Sequence, residues 1–240
     1  MDVEQLRLEQ VRALLAQAGR ALPEPEGLGD TVFIQALLDA LCELSTRDPL
    51  TGLNNRRALL GEMARELDRV ARSGESALLL LVDIDHFKAV NDRHGHLTGD
   101  AVLRAVALGL ADAVRPMDVV ARFGGEEFAV VLPNCPPSLA GTVAERIRMR
   151  VQGLSVPFED LTPLHVTVSC GGAFAPGWET TRAEDWIARA DEQLYRAKHG
   201  GRNCVCLEDW PPAGVSAEEK GLLFGLAPGS AGMMNAQAGA

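Results

Sequence analysis

No stretch of the sequence is apolar for long enough to cross a membrane, and Met1 is not followed by the basic, apolar and small residues of a secretory signal. These two absences predict a cytoplasmic protein without a membrane span. Basic residues are fewer than acidic ones, which gives a formal net charge of −10 at pH 7. Long nucleic acids are therefore not an expected partner, since they bind surfaces rich in Lys and Arg. A small anionic ligand remains compatible with this charge if metal ions or a few cations neutralise it.

Cysteine is scarce, and its distribution argues against a disulfide framework. The chain has five cysteines, an odd number, scattered among mostly apolar stretches. This predicts small buried hydrophobic residues in a reducing compartment. Cys204 and Cys206 alternate along a predicted short strand but lack the second ligand pair of a zinc site. His94 and His96 lack a nearby third ligand, so the sequence predicts a structural role for this pair.

Residues 1–45 predict a helical segment with two apolar seams. In residues 3–22 the apolar positions at steps of three and four are Leu8, Val11, Leu15, Ala18 and Leu22. Prolines and glycines then interrupt the pattern, and Asp30 or Thr31 can cap a second helix. That helix repeats the spacing at Ile34, Leu37, Leu41 and Leu44. Two heptads do not make a coiled coil on their own, so two interpretations remain: a helix packed on its own domain, or a dimerising stalk.

Residues 46–207 predict an α+β domain, because strand and helix patterns alternate. Asn54 or Asn55 can cap a helix that ends near Ser73. Strand patterns follow at 77–85, 118–123, 127–133, 164–175 and 203–207. Helix patterns occupy 86–96, 99–114, 137–153 and 182–199. This order predicts a mostly antiparallel sheet with helices on its faces. Residues 208–240 are rich in Pro, Gly, Ala and Ser and predict a mostly disordered tail.

Two adjacent carboxylates follow two glycines in RFGGEEFAVVLP, residues 122–133. A hairpin tip explains the glycines, but Glu126 and Glu127 repel each other unless a cation lies between them. Asp83 ends an apolar strand, where a carboxylate is costly without a partner; strand-end solubility, or a helix cap by Asp85, is the alternative explanation. If this strand lies beside the hairpin, Asp83 and Glu126 can hold divalent cations together with substrate phosphates, an arrangement suited to phosphoryl transfer.

Two further pairs of polar residues are candidates for ligand contacts. Lys198 and Arg202 stand at the end of the last predicted helix, which Gly200 and Gly201 should terminate so that Arg202 reaches back. Cations at a helix C-terminus also simply favour the macrodipole. Asn91 and Asp100 flank a glycine-containing turn, and each can be a helix cap. A buried Asp can instead accept two hydrogen bonds from the N1 and N2 edge of guanine, which adenine does not match.

Six ordered motifs, DPLTGLNNRR, DIDHFKAVND, GHLTGD, ARFGGEEF, VTVSCGG and ADEQLYRAKHGGRN, resemble the GGDEF family, the diguanylate cyclases. The resemblance covers about residues 46–207. It implies a fold related to the polymerase palm and the class III nucleotide cyclases, with a central five-stranded sheet surrounded by helices. It also implies that two GTP molecules are condensed into cyclic di-GMP with release of two pyrophosphates. Each protomer of a homodimer would bind one GTP, with two Mg²⁺ or Mn²⁺ ions per active site.

The resemblance assigns catalytic and metal-binding roles to five residues. Asp83, the carbonyl of Ile84 and Glu126 match the metal ligands. Lys88 resembles the residue that stabilises the transition state. Either Glu126 or Glu127 would help to deprotonate the 3′ hydroxyl, and the sequence does not decide between them. The third position of the motif is Glu rather than Asp, a variation that is common in active members.

The resemblance assigns substrate contacts to a second group of residues. Asn91 and Asp100 match the guanine contacts, with His96 nearby. Gly124 and Gly125 would lie along the triphosphate. Lys198 and Arg202 would hold its outer phosphates. Together these positions describe one GTP-binding half of a shared active site.

A final match concerns regulation. The residues from Arg115 to Asp118 form an RxxD motif, which five residues separate from Gly124. The family has a product-binding inhibitory site at this location. Arg and a carboxylate suit the two edges of guanine; a surface ion pair is the alternative. Arg146 resembles a second contact to the bound dinucleotide from an adjacent protomer.

Two other functions remain open from the sequence. A catalytically degenerate GGDEF module could bind GTP or cyclic di-GMP as a sensor, although the intact acidic pair and phosphate cations favour turnover. A different nucleotide cyclase or polymerase-like enzyme is the third possibility, and Asp100 argues against it. Residues 1–45 are too short for an ordinary sensor domain. The chain is therefore either part of a longer protein or is regulated through its two helices.

Overall fold

A five-stranded sheet forms the centre of the protein, whose structure, a computed structural model, describes residues 8–17, 29–157, 163–175 and 181–210. The strands are β1 (Ala77–Ile84), β2 (Val119–Arg122), β3 (Glu127–Leu132), β4 (Val168–Ala175) and β5 (Val205–Leu207). Their spatial order is β2-β3-β1-β4-β5. All neighbours are antiparallel except β4 and β5. The predicted α+β class and mostly antiparallel sheet are confirmed.

Helices precede the sheet and cover it. They are α1 (Glu9–Gln17), α2 (Asp30–Thr46), α3 (Arg56–Ser73), α4 (Phe87–His94), α5 (His96–Asp112), α6 (Pro137–Gln152) and α7 (Ala183–His199). The central strand β1 is buried along its whole length, as its continuous apolar sequence predicts. Its odd-numbered side chains pack against α3 and α7 in one apolar cluster, which contains Leu79, Leu81, Met63 and Trp186. This cluster packs the sheet against α3 and α7.

Helix α7 lies unusually close to strand β4. A Cβ atom on Gly171 would lie only 1.9 Å from the backbone nitrogen of Leu194, so a side chain at this position would push the helix away. The indole of Trp186 is fully buried and donates a hydrogen bond of 2.8 Å to the Ala173 carbonyl. Lys198 lies in the last turn of α7. The close packing of α7 on β4 therefore also sets the position of the Lys198 backbone.

Several helix boundaries differ from the sequence prediction. The N-cap of α2 is Gly29, so Asp30 and Thr31 are its first helical residues and neither is the cap. Asn55, not Asn54, caps α3 by accepting a hydrogen bond from the Ala58 amide. The fifth helix begins at His96 rather than at residue 99, because Gly95, with a φ of 79°, makes the break from α4 in a single residue.

The predicted strand at 164–175 is shorter in the structure. Strand β4 begins at Val168, and Leu164 instead forms an isolated bridge with Val156. In the N-terminal segment, Leu15 and Phe33 are fully buried, whereas Val32 and Leu38 are more than half exposed. Ala18 and Leu22 of the predicted seam lie outside the described residues.

The backbone divides into two units, 1–208 and 209–240. The first unit includes the N-terminal helices together with the sheet. The predicted disordered tail lies outside the described residues, except for its first three positions. Within the described ranges, no helix combines the length and the apolar character that a membrane crossing requires.

Candidate active site

The acidic residues predicted to hold metal ions meet at one end of the sheet. Asp83 of β1 pairs in register with Glu127 of β3, as expected if the strand lies beside the hairpin. The Ile84 amide donates a hydrogen bond of 3.3 Å to the Glu126 carbonyl. Asp83 is buried, and Glu126 and Glu127 are half-buried. The residue directly opposite Asp83 is therefore Glu127, while Glu126 lies one residue nearer the hairpin tip.

Lys198 contacts one of these acids directly. Its Nζ atom lies 2.8 Å from Asp83 Oδ2. Burial raises the pKa of Asp83, and the hydrogen bond and charge of Lys198 oppose that rise. The helix carrying Lys198 ends at His199, so the predicted end before Gly200 and Gly201 is confirmed. The backbone amide of Arg202 donates to the Ala197 carbonyl at 3.1 Å. The charge of Arg202 also acts to lower the pKa of Asp83. The structure thus brings both predicted phosphate cations to the predicted metal site.

The two glycines of the hairpin have different surroundings. A Cβ atom on Gly124 would lie 2.7 Å from Glu127 Oε2, whereas one on Gly125 would have no neighbour within 4 Å. Neither has the positive φ found at Gly95. The first glycine therefore leaves room for the Glu127 side chain, and the second leaves the hairpin backbone open on its outer side. Burial and the charge of Asp83 raise the pKa of Glu127, while Lys198 opposes the rise.

An ion pair that the sequence analysis did not identify braces this hairpin. The Arg122 guanidinium donates to the Gly125 carbonyl at 2.8 and 3.1 Å and to Asp48 at 3.2 and 3.3 Å. Asp48 also accepts two hydrogen bonds from Thr51. Burial raises the pKa of Asp48, but these hydrogen bonds and the Arg122 charge outweigh it, so the pKa is lowered. The sequence signal for this ion pair was the presence of Asp48 at the start of DPLTGL and of Arg122 two residues before Gly124.

Asp85 has a structural role different from both that were considered. It accepts hydrogen bonds of 2.6 Å from the hydroxyls of Thr167 and Ser169 and one of 3.0 Å from the Asn203 amide. The N-cap of α4 is His86, so the alternative explanation of Asp85 as a helix cap is wrong. The carboxylate instead ties the end of β1 to β4 and to the segment that follows Arg202. Strand-end solubility is equally wrong, because Asp85 is 6% exposed.

The predicted guanine contacts lie on two adjoining helices. Asn91 is in α4 and Asp100 is in α5, and the two helices pack against each other. Both side chains are half-buried. Lys88 and His96 are exposed on the same pair of helices. His86 precedes α4 with a left-handed backbone, φ 57°, which is uncommon for a residue with a side chain.

A small cavity of about 230 Å³ lies behind Glu127. Its apolar lining comes from β1, β3, α7 and Phe123 of the hairpin. The charged residues around it are Arg56, Glu127, Glu184 and Asp191. The Arg56 guanidinium lies 4.6 Å from the centre of the Phe123 ring. The cavity therefore adjoins the acidic end of the sheet on the side that faces α7.

The oxygen atoms at this end of the sheet are of the kind that Mg²⁺ binds. Across the described part of the chain, no group of three or more His, Cys, Asp or Glu side chains is placed to hold a metal ion by itself. Mg²⁺ commonly binds through one or two carboxylates together with phosphate oxygens. Asp83, Glu126 and the Ile84 carbonyl supply such donors at one end of the sheet. Cys204 and Cys206 are both free thiols.

The RxxD residues are paired with each other. Arg115 contacts Asp118 through its amide at 2.8 Å and its guanidinium at 3.0 and 3.3 Å. The Asp118 side chain is fully buried, whereas that of Arg115 is half exposed. Arg115 also donates to the Pro133 carbonyl at 3.1 Å. Arg146 of α6 donates to the Ala113 carbonyl, two residues before Arg115, at 3.1 Å. The buried Asp118 thus fixes an arginine that remains accessible.

Comparison with known proteins identifies sequences that are similar to this chain. The family model described as "Diguanylate cyclase, GGDEF domain" matches residues 45–204. The chain is 43% identical over 178 residues to the response regulator PleD of Caulobacter vibrioides, covering 73% of this chain and 38% of PleD. It is 44% identical over 156 residues to the diguanylate cyclase DgcP of Pseudomonas aeruginosa, covering 65% of this chain and 23% of DgcP. The chain thus spans less than half the length of these curated relatives.

Solved structures show the same fold. The coiled coil and GGDEF domain of DgcB from Caulobacter crescentus, in complex with cyclic di-GMP, aligns with a TM-score of 0.70 at 32% identity, over 83% of this chain and all of that one. The diguanylate cyclase SiaD of Pseudomonas aeruginosa, in complex with its activator SiaC, aligns with a TM-score of 0.67 at 37% identity, over 84% of this chain and 72% of SiaD. With the family match over residues 45–204, these findings show that the chain belongs to the GGDEF family, the diguanylate cyclases.

Proposed function

We propose that this protein is a diguanylate cyclase that condenses two GTP molecules into cyclic di-GMP and two pyrophosphates. One observation carries the proposal: Asp83, Glu126 and Glu127 meet at the end of the sheet where Lys198 and Arg202 supply positive charge. Carboxylates for metal ions beside cations for phosphates are the parts that nucleotidyl transfer needs. The test is incubation of the protein with GTP and Mg²⁺, followed by separation of the nucleotides.

The metal site is proposed to involve Asp83, the Ile84 carbonyl and Glu126. Two Mg²⁺ or Mn²⁺ ions bound there would stabilise the charge on the attacking and leaving oxygens. Lys198 neutralises Asp83 in the present arrangement. On GTP binding it would exchange this contact for the outer phosphates, beside Arg202. The family's use of divalent metal ions supports this assignment.

The bond changes follow from the product. The 3′ oxygen of one GTP forms a bond to the α-phosphorus of the other, and the bond to pyrophosphate breaks. The proton of the 3′ hydroxyl passes to Glu126 or Glu127. Lys88, exposed on α4, is assigned to the charge that develops on the phosphoryl group. A second, symmetrical step closes the ring and releases the second pyrophosphate.

Guanine selection is assigned to the adjoining helices α4 and α5. The carboxamide of Asn91 and the carboxylate of Asp100 offer hydrogen-bonding groups to the guanine edge, with His96 nearby. The triphosphate would run from there along Gly124 and Gly125, where the open side of Gly125 leaves the backbone accessible. GTP is a cytoplasmic nucleotide, which supports action in that compartment.

A homodimer is proposed because one site holds only one of the two GTP molecules. The exposed apolar side chains Val32 and Leu38 of α2 support a contact between N-terminal helices. The solved relative DgcB contains a coiled coil next to its GGDEF domain. The α2 helices of two protomers would then bring the two half-sites face to face.

Product inhibition is proposed at the RxxD motif. Because the Asp118 side chain is fully buried, the accessible group is the guanidinium of Arg115, which Asp118 holds in place. Arg146 approaches the same turn from α6. Cyclic di-GMP bound there would hold the domains in an unproductive arrangement and so lower the rate. Its presence in the crystal structure of DgcB supports binding of this ligand by a related domain.

A further inference from the structure

Gly99 occupies a position where glycine is unfavourable for the helix itself. It lies in the first turn of α5, is buried, and donates a backbone hydrogen bond of 3.2 Å to the Gly95 carbonyl. Its φ is not in the positive region that would require glycine. Glycine is among the least favourable helix residues because it has the most backbone freedom to lose. The reason for glycine at this position must therefore be what surrounds it.

The space beside Gly99 is filled by Asn91. A Cβ atom at residue 99 would lie 1.9 Å from Asn91 Oδ1 and 3.0 Å from Asn91 Cγ. The next nearest atom is Cζ of Phe87, at 3.2 Å. Both neighbours belong to α4, one turn apart on the face that packs against α5. The absence of a side chain on α5 is thus what allows the Asn91 carboxamide to lie against it.

Only one of these neighbours can move easily. Phe87 is 6% exposed at the first position of α4, so its ring has little freedom. The Asn91 oxygen is the far end of a half-buried side chain with two rotatable bonds. A methyl group at residue 99 would therefore rotate the carboxamide away, while the Phe87 ring, at 3.2 Å, would have to give by only a few tenths of an ångström. Gly171 provides the contrast, because a Cβ atom there meets the backbone of α7.

We propose that Gly99 is a positioning residue for guanine recognition, acting through Asn91. Because Gly99 has no side chain, it leaves the space in which the Asn91 carboxamide lies. Gly99 also directly precedes Asp100 in α5, so this space lies close to the other proposed guanine contact. The inference rests on the proposed function, because guanine is the ligand assigned to Asn91 and Asp100. Gly99 itself contacts no part of the nucleotide in this account. Glycine at this position lowers the helix propensity of α5 but allows the observed orientation of the Asn91 side chain.

The proposal predicts a separation of stability from binding. Gly99→Ala should fold with an unfolding midpoint no lower than that of the wild type, since alanine favours the helix and only a side-chain end must move. The same variant should bind nucleotide about tenfold more weakly, the effect of one displaced hydrogen-bonding group. Gly141→Ala is the matched control: it makes the same change in α6, where a Cβ atom has no neighbour within 4 Å.

The experiment is a double-mutant cycle of Gly99→Ala and Asn91→Ala. The ligand is the α,β-methylene analogue of GTP with Mg²⁺, which cannot release pyrophosphate, and its dissociation constant is measured calorimetrically. The side-chain amide resonance of Asn91 is followed in ¹⁵N spectra and is identified by its loss in Asn91→Ala. We expect Gly99→Ala to shift this resonance and weaken binding, and to have no further effect when Asn91 is already alanine.

Three outcomes would overturn the proposal. In the first, Gly99→Ala leaves both the Asn91 resonance and the affinity unchanged. In the second, the two substitutions weaken binding additively, so that Gly99 acts independently of Asn91. In the third, the resonance moves but Asn91→Ala does not change the affinity, so that Asn91 does not bind guanine. Failure of the proposed reaction can be distinguished from failure of this inference. If the wild type binds the analogue but makes no cyclic di-GMP, all four dissociation constants of the double-mutant cycle can still be measured.

Discussion

Lys198 and Asp83 form an ion pair of 2.8 Å that joins the last turn of α7 to the end of β1. The pair combines one predicted phosphate contact with one predicted metal ligand. The ion pair neutralises a buried carboxylate, and in the proposed reaction phosphates and metal ions would replace the lysine. The proposed cyclase reaction therefore begins with an exchange of partners at Asp83.

Lys198→Met should test this exchange. We expect the rate of cyclic di-GMP formation to fall by about 100-fold, since the cation proposed to hold the outer phosphates, which leave as pyrophosphate, is lost. Steady-state kinetics with GTP and Mg²⁺ would measure it. His199→Ala, one residue later on an exposed side of the same turn, serves as the control and should keep near wild-type activity. Equal effects of the two substitutions would show that the loss arises from the helix end and not from the Lys198 charge.

The Arg122 and Asp48 pair should matter for the hairpin and respond to pH. Asp48→Asn should lower the free energy of unfolding by about 1 kcal/mol, because a half-buried charged hydrogen bond is weakened. The pKa of Asp48 is lowered in the folded protein. Its contribution is therefore complete above the unfolded pKa, near 3.9, and is lost as pH falls through the folded value. Urea titrations of both proteins at pH 7 and at pH 3 to 4 would measure the difference; a gap that widens on acidification contradicts the assignment.

Deletion of residues 1–45 should make activity depend more steeply on protein concentration. In the proposed reaction each site holds one GTP, so two protomers would have to meet, and the N-terminal helices with exposed Val32 and Leu38 are proposed to hold them together. Specific activity of the shortened chain should fall most in dilute protein. Analytical ultracentrifugation of both forms provides the accompanying measurement. Equal activity at every concentration would assign these helices to packing within one chain.

Arg115→Ala should relieve product inhibition. The initial rate at low product should stay near that of the wild type, because the motif lies away from Asp83 and the hairpin acids. The final level of cyclic di-GMP should rise. Progress curves from protein stripped of bound nucleotide, with and without added cyclic di-GMP, would measure both effects. Curves of identical shape for the two proteins would reduce the RxxD motif to an ion pair with a structural role.

The sequence predicted the parts of the fold that depend on local pattern. The apolar run of β1, the hairpin around Gly124 and the end of α7 before Arg202 all follow from periodicity and glycine placement. The adjacency of Asp83 and the hairpin acids was a conditional inference that the strand pairing confirms. The motifs carried the family, because their order and spacing are specific.

Long-range contacts explain what the sequence did not predict. Asp85 was interpreted as a cap or a solvent-facing residue, but its three hydrogen bonds come from positions more than 80 residues away. The bracing of Gly125 by Arg122 depends on a partner, Asp48, that lies 74 residues earlier in the chain. The glycine at 99 has meaning only once α4 and α5 are packed. A periodic pattern contains no information on such pairings.

The most direct test of the account is the product formed from GTP by the wild type and by Glu126→Gln. Purified, nucleotide-free protein is incubated with GTP and Mg²⁺, and the nucleotides are separated by ion-exchange chromatography. We expect the wild type to form cyclic di-GMP and to release two pyrophosphates for each cyclic di-GMP. A folded Glu126→Gln protein should react at a rate at least about 100-fold lower. GTP binding without cyclic di-GMP in the wild type, or turnover retained in Glu126→Gln, would contradict it.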